Sequence, residues 1–212
     1  MTGPSVPAGP DTASARELVE RFPVLRPPVA TAGAAVTIVL RDGASEVETL
    51  LIQRAINPED PASGDVALPG GRVDEEDGSL AVTALRELRE EVGLGAADLA
   101  GPLHFVGATT ARRFSVHVGV FAALLSGAAA SVTVGSPEEV AAVFWLPRSS
   151  LRDSQLVTRE SAGASRRVFG TLHGGHLVWG FTRRVLREFY GLPPDESPGP
   201  SSAAAPGDGR LA

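Results

Sequence analysis

Residues 68–94 constrain this chain more than any other stretch. They read Leu-Pro-Gly-Gly-Arg-Val-Asp-Glu-Glu-Asp-Gly-Ser-Leu-Ala-Val-Thr-Ala-Leu-Arg-Glu-Leu-Arg-Glu-Glu-Val-Gly-Leu. The spacing predicts a helix over residues 79–92, N-capped by Ser79 and stopped by Gly93. On such a helix Ala81, Leu85, Leu88 and Val92 form one apolar seam. Glu87, Glu90 and Glu91 project together, roughly 140° around the helix from that seam.

Local energetics disfavour this gathering. Like charges at i, i+4 cost about 0.2–0.5 kcal/mol per pair. Glu90 and Glu91 also fall in the last turn, where the negative end of the helix dipole repels anions. Two readings follow: a solvated charged face partly neutralised by Arg86 and Arg89, or a set of oxygen donors for a hard divalent cation.

The spacing favours the second. Gly71 followed by Arg86-Glu87-Leu88-x-Glu90-Glu91-x-Gly93-Leu94 resembles the Nudix box, G-x5-E-x7-R-E-U-x-E-E-x-G-U, with U a bulky aliphatic residue. The second half matches throughout. In the first half Gly71 lies one residue farther from Arg86, and Gly78 holds the place of the first Glu, beside Asp77. A box lengthened in this way resembles the branch of Nudix hydrolases that cleave coenzyme A and its esters. That branch carries the motif LLTxRSA-x3-R-x3-G-x3-FPGG ahead of the box. Here Leu50-Leu51, Arg54, Gly64 and Pro69-Gly70-Gly71 stand in its register, while Ile52, Ala55, Asp60 and Leu68 replace its Thr, Ser, second Arg and Phe.

The resemblance covers about residues 33–190. It implies a Nudix-type α/β/α sandwich with a mixed β-sheet, and hydrolysis of a nucleoside diphosphate-linked substrate with Mg2+ or Mn2+. Coenzyme A or acyl-coenzyme A, split to adenosine 3',5'-bisphosphate and a phosphopantetheine product, is the leading substrate. ADP-ribose or a dinucleotide, or a Nudix module that binds without hydrolysis, are the alternatives. Glu87, Glu90 and Glu91 are the expected metal ligands, and Arg86 the residue that orients a glutamate among them. Arg54, Gly70 and Gly71 are expected at the substrate, the glycines because they let backbone approach a ligand closely. Asp77 either reaches the metal or caps the helix. Glu138 and Glu139 either add an acid to the site or are solvated. Arg112-Arg113 and the pair His173 and His176 are expected in solvated loops, and Trp145 and Trp179 in the core.

Composition narrows the rest. The chain of 212 residues suits one domain, expected over residues 11–192, between Pro/Gly/Ser-rich tails at 1–10 and 193–212 expected to be disordered. A net charge of −6 makes nucleic acid an unfavourable partner. The absence of cysteine excludes disulfides, thiolate metal sites and cysteine nucleophiles. No apolar run approaches the length of a membrane span, and no basic-then-apolar leader opens the chain, so a cytoplasmic protein is expected. A homodimer is compatible with all of this.

Along the chain, a short helix is expected over residues 11–22 and strands over 33–40, 47–54, 103–108, 115–125 and 140–146. A terminal helix is expected over 177–190, with nothing regular assigned between Pro147 and it.

Overall fold

A computed structural model describes residues 13–60, 62–112, 115–127, 132–161 and 164–195. Its centre is strand β1 (Ala34–Asp42), whose β-branched run is buried on both faces. Val36, Ile38 and Leu40 pack against helices α1 (Ala15–Glu20) and α3 (Gly180–Phe189), and Ala35 and Val39 pack against helix α2 (Leu80–Val92). The alternation of a strand thus supplies two cores to three layers, an α/β/α sandwich.

The turn at residues 43–46 returns the chain as β2 (Val47–Arg54), but β1 and β2 pair only beside that turn, Leu40–Asp42 against Val47–Thr49. Beyond it they splay. The short strands β3 (Val66–Ala67) and β4 (Gly70–Arg72) fill the split, β3 on Ile52 and Gln53, β4 on residues 34–36. This wedge brings the Gly70-Gly71 turn into the middle of the sheet beneath α2. Strands β5 (His104–Ala111) and β6 (Val116–Leu124) extend the sheet from β1, the β1–β6 pairing being parallel. Strand β7 (Val140–Pro147) closes the other edge on β2. The sheet is therefore mixed, as expected from the sequence.

Local signals set the element ends. Ser14 caps α1 reciprocally with Glu17, which starts the helix later than residue 11. Thr109 and Thr110, expected in a connection, continue β5 because they pair with Val118 and His117. Ser79 accepts the Val82 N–H at 3.4 Å at the start of α2, and Gly93, at φ 72°, ends it in the left-handed conformation.

The largest difference from expectation is a second sheet in the stretch left unassigned: β8 (Gln155–Ser161), β9 (Ala164–His173) and β10 (His176–Trp179). Leu177 belongs to β10, and α3 begins only at Gly180. Both tryptophans, expected in the core, are half-buried and carry an arginine on the ring: Arg41 lies 4.0 Å from the Trp145 centroid and Arg159 4.6 Å from that of Trp179. His173 and His176 flank the β9–β10 turn instead of a free loop, and His176 stacks on Phe144 with centroids 4.2 Å apart.

Residues 193–195 open the stretch expected as a C-terminal tail, yet they are held against α3. The Arg183 guanidinium, 1% exposed, donates from Nε and Nη2 to the two carboxylate oxygens of Asp195, each at 2.8 Å. Arg187 Nε donates to the Pro193 carbonyl at 3.0 Å. The remainder of both expected tails lies outside the described residues. Burial raises the Asp195 carboxyl, but Arg183 and Ser154 hold it below the usual range on balance. Asp195→Asn leaves a buried guanidinium without its counter-charge and should cost about 3 kcal/mol in urea unfolding. A variant within about 0.5 kcal/mol of the parent, the scatter of neutral surface changes, would mean that Arg183 is neutralised elsewhere.

Candidate active site

The site is built on the face of α2 turned toward the Gly70-Gly71 wedge. Leu80, Ala84, Leu88 and Val92 anchor the helix on the sheet, and Ala81 is buried as the seam requires. Leu85 is only partly buried. The glutamates divide. Glu87 and Glu91 are buried, at 8% and 2% exposure, and Glu90 is exposed. The sequence pattern set all three on one face opposite the core. Arg86 still joins Glu87 and Glu90, but the wedge folds over that face and buries Glu87 and Glu91.

Each buried carboxylate rests on a glycine. Glu91 Oε2 accepts the Gly70 N–H at 2.8 Å. A Cβ on Gly70, at φ 148°, would stand 2.2 Å from the Ala35 carbonyl oxygen, and one on Gly71 would stand 2.4 Å from Glu87 Oε1. Any side chain at either position collides with β1 or with the carboxylate.

Arg86 joins the rest. Its Nη1 donates to Glu87 Oε1 at 2.9 Å and to Glu90 Oε2 at 3.0 Å. Its Nη2 donates to Asp77 Oδ2 at 3.0 Å and to the Arg72 carbonyl at 2.9 Å. One planar guanidinium thus orients two glutamates and ties α2 to the turn before it. Of the two roles weighed for Asp77 from sequence, the cap falls to another residue. Ser79 is the cap, and Asp77 holds Arg86 while accepting the Asp74 N–H at 3.0 Å. Burial pushes the Asp77 carboxyl up, and the bonds from Arg86 and Asp74 more than offset it, leaving it below the usual range.

Two loops complete the site. Residues 132–139 wrap the C-terminus of α2, where the Gly135 N–H donates to the Glu91 carbonyl at 2.9 Å and the Thr133 N–H to that of Val92 at 3.3 Å. That capping carries exposed Glu139 within electrostatic reach of Glu87 and Glu91. On the other side Arg54 ends β2 with Nη2 2.7 Å from Asp60 Oδ2, and its charge also reaches Glu91. Arg112 is exposed with no described contact to the cluster, and Arg113 lies outside the described residues. His173 and His176 belong to the small sheet, where their ring nitrogens face Ser150 and Gln53.

Burial dominates the electrostatics of the two covered glutamates. Burial raises the Glu91 carboxyl to about 8, with Glu87 and Glu139 adding to the rise and the Gly70 N–H and Arg54 opposing it. Burial raises Glu87 as well, against the pull of Arg86. Among the described residues no three acidic or histidine side chains are already spaced around an ion. Arg86 stands between Glu87 and exposed Glu90 and is bonded to both. The donors fit a hard divalent cation by chemistry: carboxylate oxygens, two of them buried with one guanidinium shared among several acids.

A raised carboxylate favours the folded state while protonated, so the stability contributed by Glu91 is full below pH 4.5 and is lost as pH rises through about 8. In EDTA, the advantage of Glu91→Gln over the parent should therefore grow by about 4 kcal/mol between pH 5 and pH 9 in denaturant unfolding. Parallel pH profiles for the two proteins would show that Glu91 is not desolvated as described.

Comparison with known proteins agrees with this geometry. Residues 31–168 match the profile of the NUDIX domain. The chain is 34% identical over 182 residues to the uncharacterized Nudix hydrolase NudL of Salmonella heidelberg (strain SL476), covering 80% of this chain and 90% of that protein. It is 37% identical over 144 residues to NudL of Salmonella paratyphi B (strain ATCC BAA-1250 / SPB7), covering 66% of this chain and 71% of that one. A NUDIX hydrolase from Alicyclobacillus acidocaldarius shares the fold, with a TM-score of 0.50 at 22% identity over 76% of this chain and 91% of its own. With its profile match spanning the glycine wedge and the glutamate helix, and a relative aligned over most of both chains, this protein belongs to the Nudix family.

Proposed function

We propose that this chain is a Mg2+- or Mn2+-dependent pyrophosphohydrolase of a nucleoside diphosphate derivative, with coenzyme A or acyl-coenzyme A as its substrate. The observation that carries the reading is the burial of Glu87 and Glu91 against Gly70-Gly71, with Arg86 orienting Glu87 and Glu90. Two desolvated carboxylates with raised proton affinity are costly, and a divalent cation offsets that cost. A cation held by Glu87, Glu90 and Glu91 supplies neutralisation of phosphate oxygens and a bound water of lowered pKa.

The chain's own residues do the remainder. The Gly70 N–H fixes the direction of the Glu91 carboxylate, and Arg86 that of Glu87. Exposed Glu139, whose charge reaches the buried pair, is a candidate to take a proton from water. Arg54 stands at the edge of the cluster as a partner for a substrate phosphate. Support for coenzyme A comes from the register of Leu50 through Gly71.

One observation favours the second reading, ADP-ribose or a dinucleotide. Asp60 stands where the coenzyme A motif has a second arginine, and it already pairs with Arg54 at 2.7 Å. A substrate bearing an extra phosphate monoester needs more cationic charge than that pair leaves.

A steady-state screen with Mg2+ over coenzyme A, acetyl-coenzyme A, ADP-ribose and diadenosine tetraphosphate separates the readings. Coenzyme A or its ester should have the highest kcat/KM, and Glu91→Gln should lower turnover on it by about two orders of magnitude or more. ADP-ribose or the dinucleotide leading by about tenfold, roughly 1.4 kcal/mol of transition-state discrimination, would overturn the substrate. Near-parental turnover in Glu91→Gln would overturn the metal assignment.

A further inference from the structure

The three-stranded sheet contributes none of the clustered glutamates, yet it grips the segment that leads to them. Asp65 Oδ1 accepts Arg159 Nε at 3.0 Å and Trp179 Nε1 at 3.1 Å. Arg159 Nη2 completes the ion pair, and both side chains are 14% exposed. The guanidinium also lies over the Trp179 ring. A carboxylate held by a planar fork and an indole N–H has little freedom to turn.

A second tie acts one residue earlier. Gln53 Nε2 donates to the Gly64 carbonyl, and Gln53 Oε1 stands 2.9 Å from His176 Nδ1. Since the amide nitrogen is committed as a donor, its oxygen accepts, and His176 carries its proton on Nδ1. Stacking on Phe144 at an 8° interplanar angle holds that ring in place.

These ties converge on the backbone of the site. The Arg54 N–H donates to the Asp65 carbonyl at 3.0 Å, and the Ala55 N–H donates to that of Glu139 at 2.8 Å. Immediately after Asp65, Val66 accepts from Thr182 Oγ1 at 3.0 Å. The chain then runs through β3 to Gly70, whose N–H directs Glu91. Arg54 is thus held by the Asp65 backbone, and its neighbour Ala55 by that of Glu139.

We infer that Asp65, gripped by Arg159 and Trp179, is a positioning residue that fixes the end of β2 bearing Arg54 and so sets substrate affinity. The inference rests on the proposed role of Arg54 at a substrate phosphate. Asp65 itself touches no substrate. Removing its charge loosens the Arg54 end of β2 while every clustered glutamate keeps its identity.

The test uses the full chain and three variants, Asp65→Asn, Arg159→Gln and the double variant, assayed with Mg2+ on coenzyme A and ADP-ribose. Each single change should raise KM about tenfold with kcat within about threefold, and the double variant should do no worse, because both act through one clamp. Amide hydrogen exchange should quicken at Arg54 and Ala55 in Asp65→Asn and stay unchanged along α2. Unchanged KM overturns the inference. So do additive losses in the double variant, or faster exchange throughout α2, which would mean general destabilisation. A parent inactive on both substrates removes the functional reading. The exchange pattern then decides the clamp alone, and unchanged protection at Arg54 and Ala55 overturns it.

Discussion

Two carboxylates pressed onto two glycines organise this protein. Glu87 and Glu91 lie buried where the Gly70-Gly71 turn crosses under α2; a side chain on Gly70 would strike the backbone of β1, and one on Gly71 would displace the Glu87 carboxylate. Burying like charges this closely costs free energy that Arg86, the Gly70 N–H and the nearby charge of Arg54 offset only in part. The residual appetite for positive charge is the functional property of the site. Stability has been given up where these carboxylates are buried.

The architecture can be read as the means of keeping that arrangement rigid. The split between β1 and β2 admits the wedge of β3 and β4, and the wedge delivers the glycines to the helix. Apolar contacts from Leu80 to Val92 fix the helix on the sheet, so its glutamates cannot move away from one another. The loop at residues 132–139 satisfies the terminal carbonyls of α2 and brings Glu139 alongside. The small sheet, remote in sequence, braces the strand end bearing Arg54. Functional groups on helix and strand ends, held by backbone hydrogen bonds, keep tighter positions than groups on free loops.

Much of this was legible in the residues alone. Ser79, Gly93 and the seam from Ala81 to Val92 specified α2 because caps and periodicity are local signals. The clustering of Glu87, Glu90 and Glu91 with Arg86 was equally local. Burial of Glu87 and Glu91 was not, since it depends on a wedge arriving from another part of the sheet. Likewise β8 and β9 hide in a polar stretch with Thr158 paired to Arg167, where alternation is weak and pairing partners stabilise the strands. Asp195 gave no sign either. An acidic pair among prolines reads as tail until the buried Arg183 is seen to need Asp195.

The central claim is that the buried glutamates are incomplete without a divalent cation. Titration of the metal-free protein with Mn2+, counting free ion by its paramagnetic resonance signal, tests it directly, with Glu87→Gln and Glu91→Gln beside the parent. The account predicts saturable binding by the parent and affinity weaker by about tenfold or more, at least 1.4 kcal/mol, in each variant. Equal affinity in all three proteins would place the ion elsewhere and leave the buried carboxylates without a purpose.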